Sequence, residues 1–290
     1  MYNYTHIQSS GVTDAKKEIT MKKIIAMMLA LMLVMTGIAV FTSCENDTPE
    51  ETTTEAPTTE EATTEAPAPA VIKMATNAYF QPYEFYDGDQ IVGIDAEIAA
   101  AIAEKLGMTL EIVDMEFDSI ITAVNEGSVD FGMAGMTVTP DRQKEVDFSI
   151  SYANGVQSII VKEGSSITCA DDLYAEGASY KVGVQLGTTG DIYATDDFGT
   201  ENVTTYSNGN EAVLALLGGD VDCVIIDNEP AKALVAANEG LNILETAYAN
   251  EDYAICVKKG NSELLAKIDQ AIKDLTADGT IDAIIAKYIK

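Results

Sequence analysis

The 290-residue chain contains a single arginine, Arg142. It stands in the run Thr137-Val138-Thr139-Pro140-Asp141-Arg142, just beyond the strand-like stretch 129–135. Thr139-Pro140 reads as a helix start, with Thr at the N-cap and Pro at the first helical position. Arg142 then falls in the first turn, among backbone N–H groups that have no intrahelical partner. A cation there opposes the helix dipole, so helix stability does not explain it. A guanidinium fork beside threonine hydroxyls and free N–H groups is suited to a carboxylate. The ordinary alternative is a solvated arginine. The residue's singularity and its place at a strand end favour the functional reading.

Catalytic chemistry finds little material. The only histidine, His6, lies upstream of any foldable segment, so a His-based triad or dyad is excluded from the folded part. No P-loop, GxGxxG or HExxH pattern occurs. The four cysteines show neither CxxC nor Cys/His metal spacing, which leaves no metal or cofactor to expect. Cys223 and Cys256 sit inside apolar runs and suit core packing. Among Cys169, Cys223 and Cys256, one disulfide plus one free thiol stays open. The net charge is -30, and from residue 45 onward 13 basic residues face 45 acidic ones. Such a surface repels nucleic acid, and it makes chance carboxylate pairs uninformative.

The N-terminal part has three segments. Residues 1–20 precede a second start at Met21 and read as an extension outside the mature protein. Residues 21–44 hold a basic Lys22-Lys23 pair, an apolar stretch and Thr42-Ser43-Cys44. This is the pattern of a secretory signal. Its end resembles a bacterial lipobox, with Cys44 as the lipidated residue, although Phe41 stands where Leu is usual. The alternative is an uncleaved anchor, because 18 apolar residues suffice to span a bilayer. Residues 45–70, rich in Thr, Glu, Ala and Pro, cannot offset the entropy of ordering and read as a disordered acidic tether. These features predict an extracytoplasmic protein held at the outer face of the cell membrane.

From Val71 onward, strand and helix periods alternate. Strands are expected at VIKMAT, TLEIVDM and VDFGMAG, then at SIIVK, KVGVQ, NVTTY, VDCVIID and LNILE. Helices are expected over 96–106, 117–126, near 190, over 211–217, from Pro230, and over 262–275 and 280–289. This is the pattern of α/β structure with mainly parallel sheets. A shift of 92 residues lays 119–135 on 211–227. Ala123 then meets Ala215, Gly127 meets Gly219, Val129 meets Val221 and Asp130 meets Asp222. Any two helix–Gly–strand units look somewhat alike, but the useful reading is two similar lobes. Ligands of open α/β sheets bind beyond the carboxyl ends of strands, which directs attention to Gly135 and Asp227.

Residues 71–290 resemble the polar amino-acid branch of bacterial extracellular solute-binding proteins, the glutamine- and histidine-binding type. The resemblance is carried by ATNAYFQPYEFYDGDQIVGIDAEIAAAIAEKLG, AGMTVTPDRQKEVDFS, KVGVQLGTTG, VDCVIID and ADGTIDAIIAKYI, in order. It implies a two-lobed fold of the type II periplasmic-binding-protein kind and an amino acid delivered to an ABC permease, without catalysis. It also implies site roles. Phe80 and Phe117 would be aromatic walls, and Gly135 and Thr137 would offer carbonyl and hydroxyl contacts. Arg142 would grip the α-carboxylate, completed by Thr188 and Thr189 at a helix start in the second lobe. Asp227 would take the α-ammonium. Asn77 stands where relatives usually carry Asp, and Gln185 faces the side-chain end as another neutral group. A neutral polar ligand, such as glutamine or cystine, is therefore expected.

Lobe 1 is expected at 71–155 with 254–290, and lobe 2 at 156–253, with hinge segments near 153–157 and 250–254. Two other classes stay in view. One is an enzyme on the same fold, such as a cyclohexadienyl dehydratase, for which Glu84 and Asp227 are the cleft acids. The other is an extracellular ligand sensor, against which the end at Lys290 counts.

Overall fold

The computed structural model describes residues 69–244 and 248–289. The expected extension, the signal segment with Cys44, and tether residues 45–68 lie outside the described residues. Among the described residues, no helix is long and apolar enough to cross a membrane.

The chain opens with β1 (Val71–Thr76), buried at four of its six positions as a central strand must be. A small antiparallel sheet follows, made of β2 (Tyr79–Phe80), β3 (Glu84–Asp87) and β4 (Gln90–Val92). Helix α1 (Ile94–Lys105) buries Ile94, Ile98 and Ile102 on one face. It leads to β5 (Thr109–Asp114), then through a 3-10 turn at Phe117–Ser119 into α2 (Ile120–Glu126). Next come β6 (Phe131–Gly132), the single-turn α3 (Arg142–Glu145) and β7 (Val146–Phe148). The long β8 (Ala153–Lys162) carries the chain into a second sheet. There β9 (Val182–Gln185), α4 (Thr189–Phe198), β10 (Val203–Tyr206), α5 (Gly209–Gly218), β11 (Cys223–Asp227), α6 (Asn228–Ala237) and β12 (Leu241–Ile243) alternate. Finally β13 (Ala249–Tyr253) returns the chain to β14 (Cys256–Lys258) in the first sheet, followed by α7 (Ser262–Ala277) and α8 (Thr280–Tyr288).

The first sheet has the order β5-β1-β6-β14-β7, and the second β10-β9-β11-β8-β12, with β13 also paired to β8. These are the two lobes. Two strands cross between them, β8 outward and β13 back, and they pair antiparallel from Tyr253 opposite Ala153 to Ala249 opposite Gln157. Those crossings correct one expectation. Both sheets are mixed rather than mainly parallel, because β8 and β14 run against the strands on either side of them. The strand expected over VDFGMAG is also shorter, covering only Phe131–Gly132. The hairpin sheet and the strands β7, β13 and β14 are additions to the sequence reading.

The 92-residue shift has a structural counterpart. In each copy a helix ends on a left-handed glycine, Gly127 at φ 76° and Gly219 at φ 87°, the conformation glycine adopts without a Cβ penalty. In each copy the next aspartate does the same job. Asp130 Oδ2 accepts the Lys73 N–H at 2.7 Å, and Asp222 Oδ2 accepts the Lys181 N–H at 2.8 Å. The carboxylates thereby pin each repeat to a neighbouring strand, within β1 at Lys73 and just before β9 at Lys181.

Cys169, Cys223 and Cys256 are all free thiols, and the latter two are buried. Burial pushes each of these two thiols up to about 12, so they behave as packing groups.

Candidate functional site

The carboxyl ends of the two repeats open onto one cavity. Its walls hold Asn77, Phe80, Phe117, Gly135, Thr137 and Arg142 from the first lobe and Gln185, Thr188, Thr189 and Asp227 from the second. Each of the ten residues singled out in the sequence as ligand-facing therefore lines this space, together with Glu84 and Ala134.

Arg142 begins a helix of one turn only, and Thr139 Oγ1 accepts its backbone N–H at 3.2 Å. Arg142 is 8% exposed, and its guanidinium lies 5.2 Å from the centre of the Phe117 ring, within cation–π range. Nη1 donates to the Thr137 carbonyl at 2.7 Å, and Nη2 donates across the lobes to the Gly187 carbonyl at 3.0 Å. Two of the five guanidinium donors are thus used on carbonyls. Burial lowers the basicity of Arg142, and the nearby Glu251 offsets this in part. Among the described residues it forms no salt bridge.

Across the cavity, Thr188 caps α4. Its Oγ1 accepts the Asp191 N–H at 3.3 Å and donates to the Gln185 carbonyl at 2.8 Å. Thr189, at the first helical position, is buried. The N-terminus of the ten-residue α4 therefore lies at the same cavity as Arg142.

Asp227 ends β11 and is 7% exposed. It accepts hydrogen bonds from Gln157 Nε2 at 2.7 Å and from the Tyr253 hydroxyl, yet has no counter-cation among the described residues. Burial and the charge of Glu251 push its carboxyl up to about 7, against the pull of those two donors. Glu251 itself takes the second Gln157 bond and the Thr137 hydroxyl, both at 3.0 Å. The Thr137 hydroxyl proton is thus committed to Glu251. The expected hydroxyl contact of Thr137 is left with its oxygen as acceptor.

At the remaining wall, Gln185 Nε2 donates to Asn77 Oδ1 at 2.9 Å and to the Ser207 carbonyl at 3.1 Å, while Asn77 Nδ2 donates to the Met115 carbonyl at 2.9 Å. Both Gln185 amide N–H groups and one of the two on Asn77 are used within the protein, which leaves Gln185 Oε1 and the second Asn77 N–H for a ligand. Phe80 packs against Gly135, where a Cβ would stand 2.8 Å from the ring and φ is 52°. Only glycine fits that contact without displacement.

Sequence reasoning missed the layer behind these walls. Asp95, Gln157, Glu251 and Tyr253 are all buried there. Asp95 was visible as a charge amid the apolar face Ile94, Ile98 and Ile102. The other three lie on the crossing strands, whose partners cannot be read from local pattern. Among the described residues, no three His, Cys, Asp or Glu side chains are placed to hold a metal ion.

The chain is similar to proteins of known role. The arginine-binding extracellular protein ArtP of Bacillus subtilis is 33% identical over 222 residues, spanning 74% of this chain and 84% of the relative. An ancestral arginine-binding protein, solved bound to glutamine and also bound to arginine, is 39% identical. It superposes with TM-score 0.71 over 76% of this chain and 98–99% of its own. An ancestral amino acid-binding protein, AncCDT-1, described as a precursor of cyclohexadienyl dehydratase, is 31% identical with TM-score 0.70 over 76% and 96%. Residues 72–290 match the model for bacterial extracellular solute-binding proteins, family 3. With this match, and with two α/β lobes meeting around one charged cavity, the chain belongs to the bacterial extracellular solute-binding proteins, family 3.

Proposed function

We propose that this protein captures one polar α-amino acid outside the cell, by lobe closure, for delivery to an ABC import permease, and that Cys44 anchors it to the membrane through lipid. The observation that carries the reading is a buried guanidinium and a buried carboxyl on opposite lobes, neither in a salt bridge among the described residues. An unpaired buried charge costs about 3–5 kcal/mol. An α-amino acid neutralises both, with its carboxylate on Arg142 and the α4 N-terminus and its ammonium on Asp227. Function is then a population shift toward the closed form, with no bond made or broken. Incubation with prephenate-like substrates should give no turnover; a measured rate would replace this reading with an enzymatic one.

The Asn77 and Gln185 wall supports a neutral polar side chain that both donates and accepts hydrogen bonds, such as that of glutamine. A second reading, a basic side chain, has its own support. Amide oxygens and aromatic rings also accept a guanidinium, and the 39% identical ancestral protein is found with either amino acid.

A thermal-shift screen of the twenty amino acids, cystine and ornithine tests the proposal. A ligand at a thousand times its dissociation constant adds about 4 kcal/mol. An amine lacking the carboxylate that stabilises as strongly as its parent amino acid would sink the zwitterion site. Solution scattering on a form starting at residue 69 should show compaction with saturating ligand, and superimposable curves would rule out closure.

A further inference from the structure

Behind the ammonium end of the cavity two carboxyl groups meet with no base between them. Glu84 opens β3, directly across from Phe80 in β2. Asp95 is the second residue of α1. Gly93 brings the two elements together. The Pro82 and Tyr83 carbonyls accept the first α1 N–H groups, of Ile94 at 3.1 Å and Asp95 at 2.9 Å. A Cβ at position 93 would stand 2.2 Å from the Tyr83 oxygen.

Asp95 is fully buried, and its Oδ2 accepts the Gly135 N–H and the Tyr152 hydroxyl, each at 2.8 Å. Its Oδ1 receives neither. Glu84 is 1% exposed, and no N–H or hydroxyl donates to either of its oxygens. Asp95 Oδ1 is likewise buried without a donor, and the Asp95 N–H on the Tyr83 carbonyl sets the two residues on adjoining segments. Two carboxylates are acceptors only, so these three buried oxygens without a donor call for a proton. The surroundings decide which oxygen keeps it. Asp95 has two donors and the positive end of α1, all of which favour its charged form. Glu84 has neither. The titratable groups facing Glu84 are Asp95, Asp227 and the phenols of Tyr83 and Tyr152. None is a cation.

We propose that Glu84 is a neutral carboxylic acid that donates its proton to Asp95, and that the pair is a positioning element holding the Gly135 stretch of the cavity wall through the Asp95–Gly135 bond. The proton stays on Glu84, and no covalent bond beyond it changes. Burial, reinforced by the charge on Asp95, raises the Glu84 carboxyl well above the ordinary carboxylate range. The arrangement leaves Asp227 as the single negative charge on the cavity surface at this end. Ionising Glu84 would add a second, unpaired one and remove the donor from Asp95. Only its effect on binding rests on the function proposed above.

The test has two arms. Infrared difference spectra near pH 7, parent minus Glu84→Gln, should show the carbonyl stretch of a protonated carboxylic acid. This arm needs no ligand, so it stands or falls independently of what fills the cavity. A difference spectrum with no protonated-carboxyl band overturns the proposal, whatever the binding data show. In the second arm, calorimetry with glutamine and with arginine compares Glu84→Gln and Glu84→Ala. The amide keeps an N–H for Asp95, so Glu84→Gln should bind about tenfold or more tightly than Glu84→Ala, in line with leaving a buried charged acceptor unmet. Affinity of the parent should also fall as the solution is made alkaline, and this fall should be smaller in Glu84→Gln. Equal binding by the two variants, with parallel pH profiles, would remove the positioning role.

Discussion

The two repeats build the same scaffold and end in opposite chemistry. Each runs helix, left-handed glycine, Val-Asp, strand, and each aspartate bonds the same kind of backbone N–H at nearly equal length. The first then ends at Gly135, which has no side chain, turns to φ 52°, and leaves room for Phe80. The second ends at Asp227, a buried carboxylate without a counter-cation among the described residues. The positive charge lies seven residues beyond the first end, on Arg142. Duplication thus supplies two equivalent frames, while the groups that would recognise a zwitterion are divided between them. Neither lobe alone presents both charges, which ties affinity to the two lobes meeting.

The largest expected effect comes from erasing that division. Arg142→Lys keeps the charge but cannot form the two-pronged donor fork. Asp227→Asn keeps the shape but not the charge. Each should cost about 2–5 kcal/mol of ligand affinity, the range for removing one member of a buried charged pair. Titration calorimetry checks it, and either variant binding within about threefold of the parent would end the two-charge account. The next effect tests the plain end of the first repeat. Gly135→Ala places a methyl against Phe80 and strains a positive φ, for a loss of about 1–3 kcal/mol in folding stability. Chemical denaturation measures it. An unchanged midpoint would mean that the glycine is not there for the aromatic contact.

These residues differ in how legible they were. The scarce arginine, the strand ends and the LGTTG helix start could be read from type, spacing and resemblance, because each depends on its own local segment. The walls of the cavity therefore came from sequence. The supports did not. Gln157 and Tyr253 act on Asp227 from β8 and β13, and those strands pair across nearly 100 residues of sequence. Glu84 lies in a hairpin only a few residues long, where Pro82 interrupts any strand pattern. Mixed sheets escaped notice for the same reason: a crossing strand has the composition of a parallel one, and direction is set by the chain's return. The N-terminal readings of lipobox and tether concern residues outside the described ones.

A smaller effect follows from the environment of Asp227. Its carboxyl is raised from 3.8 to about 7 by burial and by Glu251. In the empty protein, the folded state therefore keeps a proton that the unfolded chain releases between those two values. This contribution lowers stability as pH rises through that window, then levels off. Binding has the opposite sign. A ligand ammonium favours ionised Asp227, so below about pH 7 binding must expel a proton. Affinity should rise by up to about tenfold per pH unit toward pH 7 and level off above it, until alkaline solution ionises Glu84. Calorimetry in two buffers of different ionisation enthalpy should detect proton release near pH 6. Affinity that stays flat across that range would show that Asp227 is already ionised in the empty protein.

The smallest effect is the sharpest test of the repeat itself. If Asp130 and Asp222 are structural equivalents, Asp130→Ala and Asp222→Ala each delete one carboxylate-to-backbone hydrogen bond, from the Lys73 N–H and the Lys181 N–H. Both aspartates are exposed at the surface, so water can replace the lost acceptor, and the cost should stay near 0.5–1.5 kcal/mol for each. The two sites lie in different lobes and share no partner, so the double variant should lose the sum of the single losses. Neither residue lines the cavity, so any change in ligand affinity should be small beside that of Arg142→Lys. Urea denaturation of the three variants decides the matter. Similar, additive losses support equivalent frames. A loss confined to one aspartate, or a strongly coupled pair, would mean that the matching sequence positions do unequal work and that the resemblance between the copies is one of pattern alone.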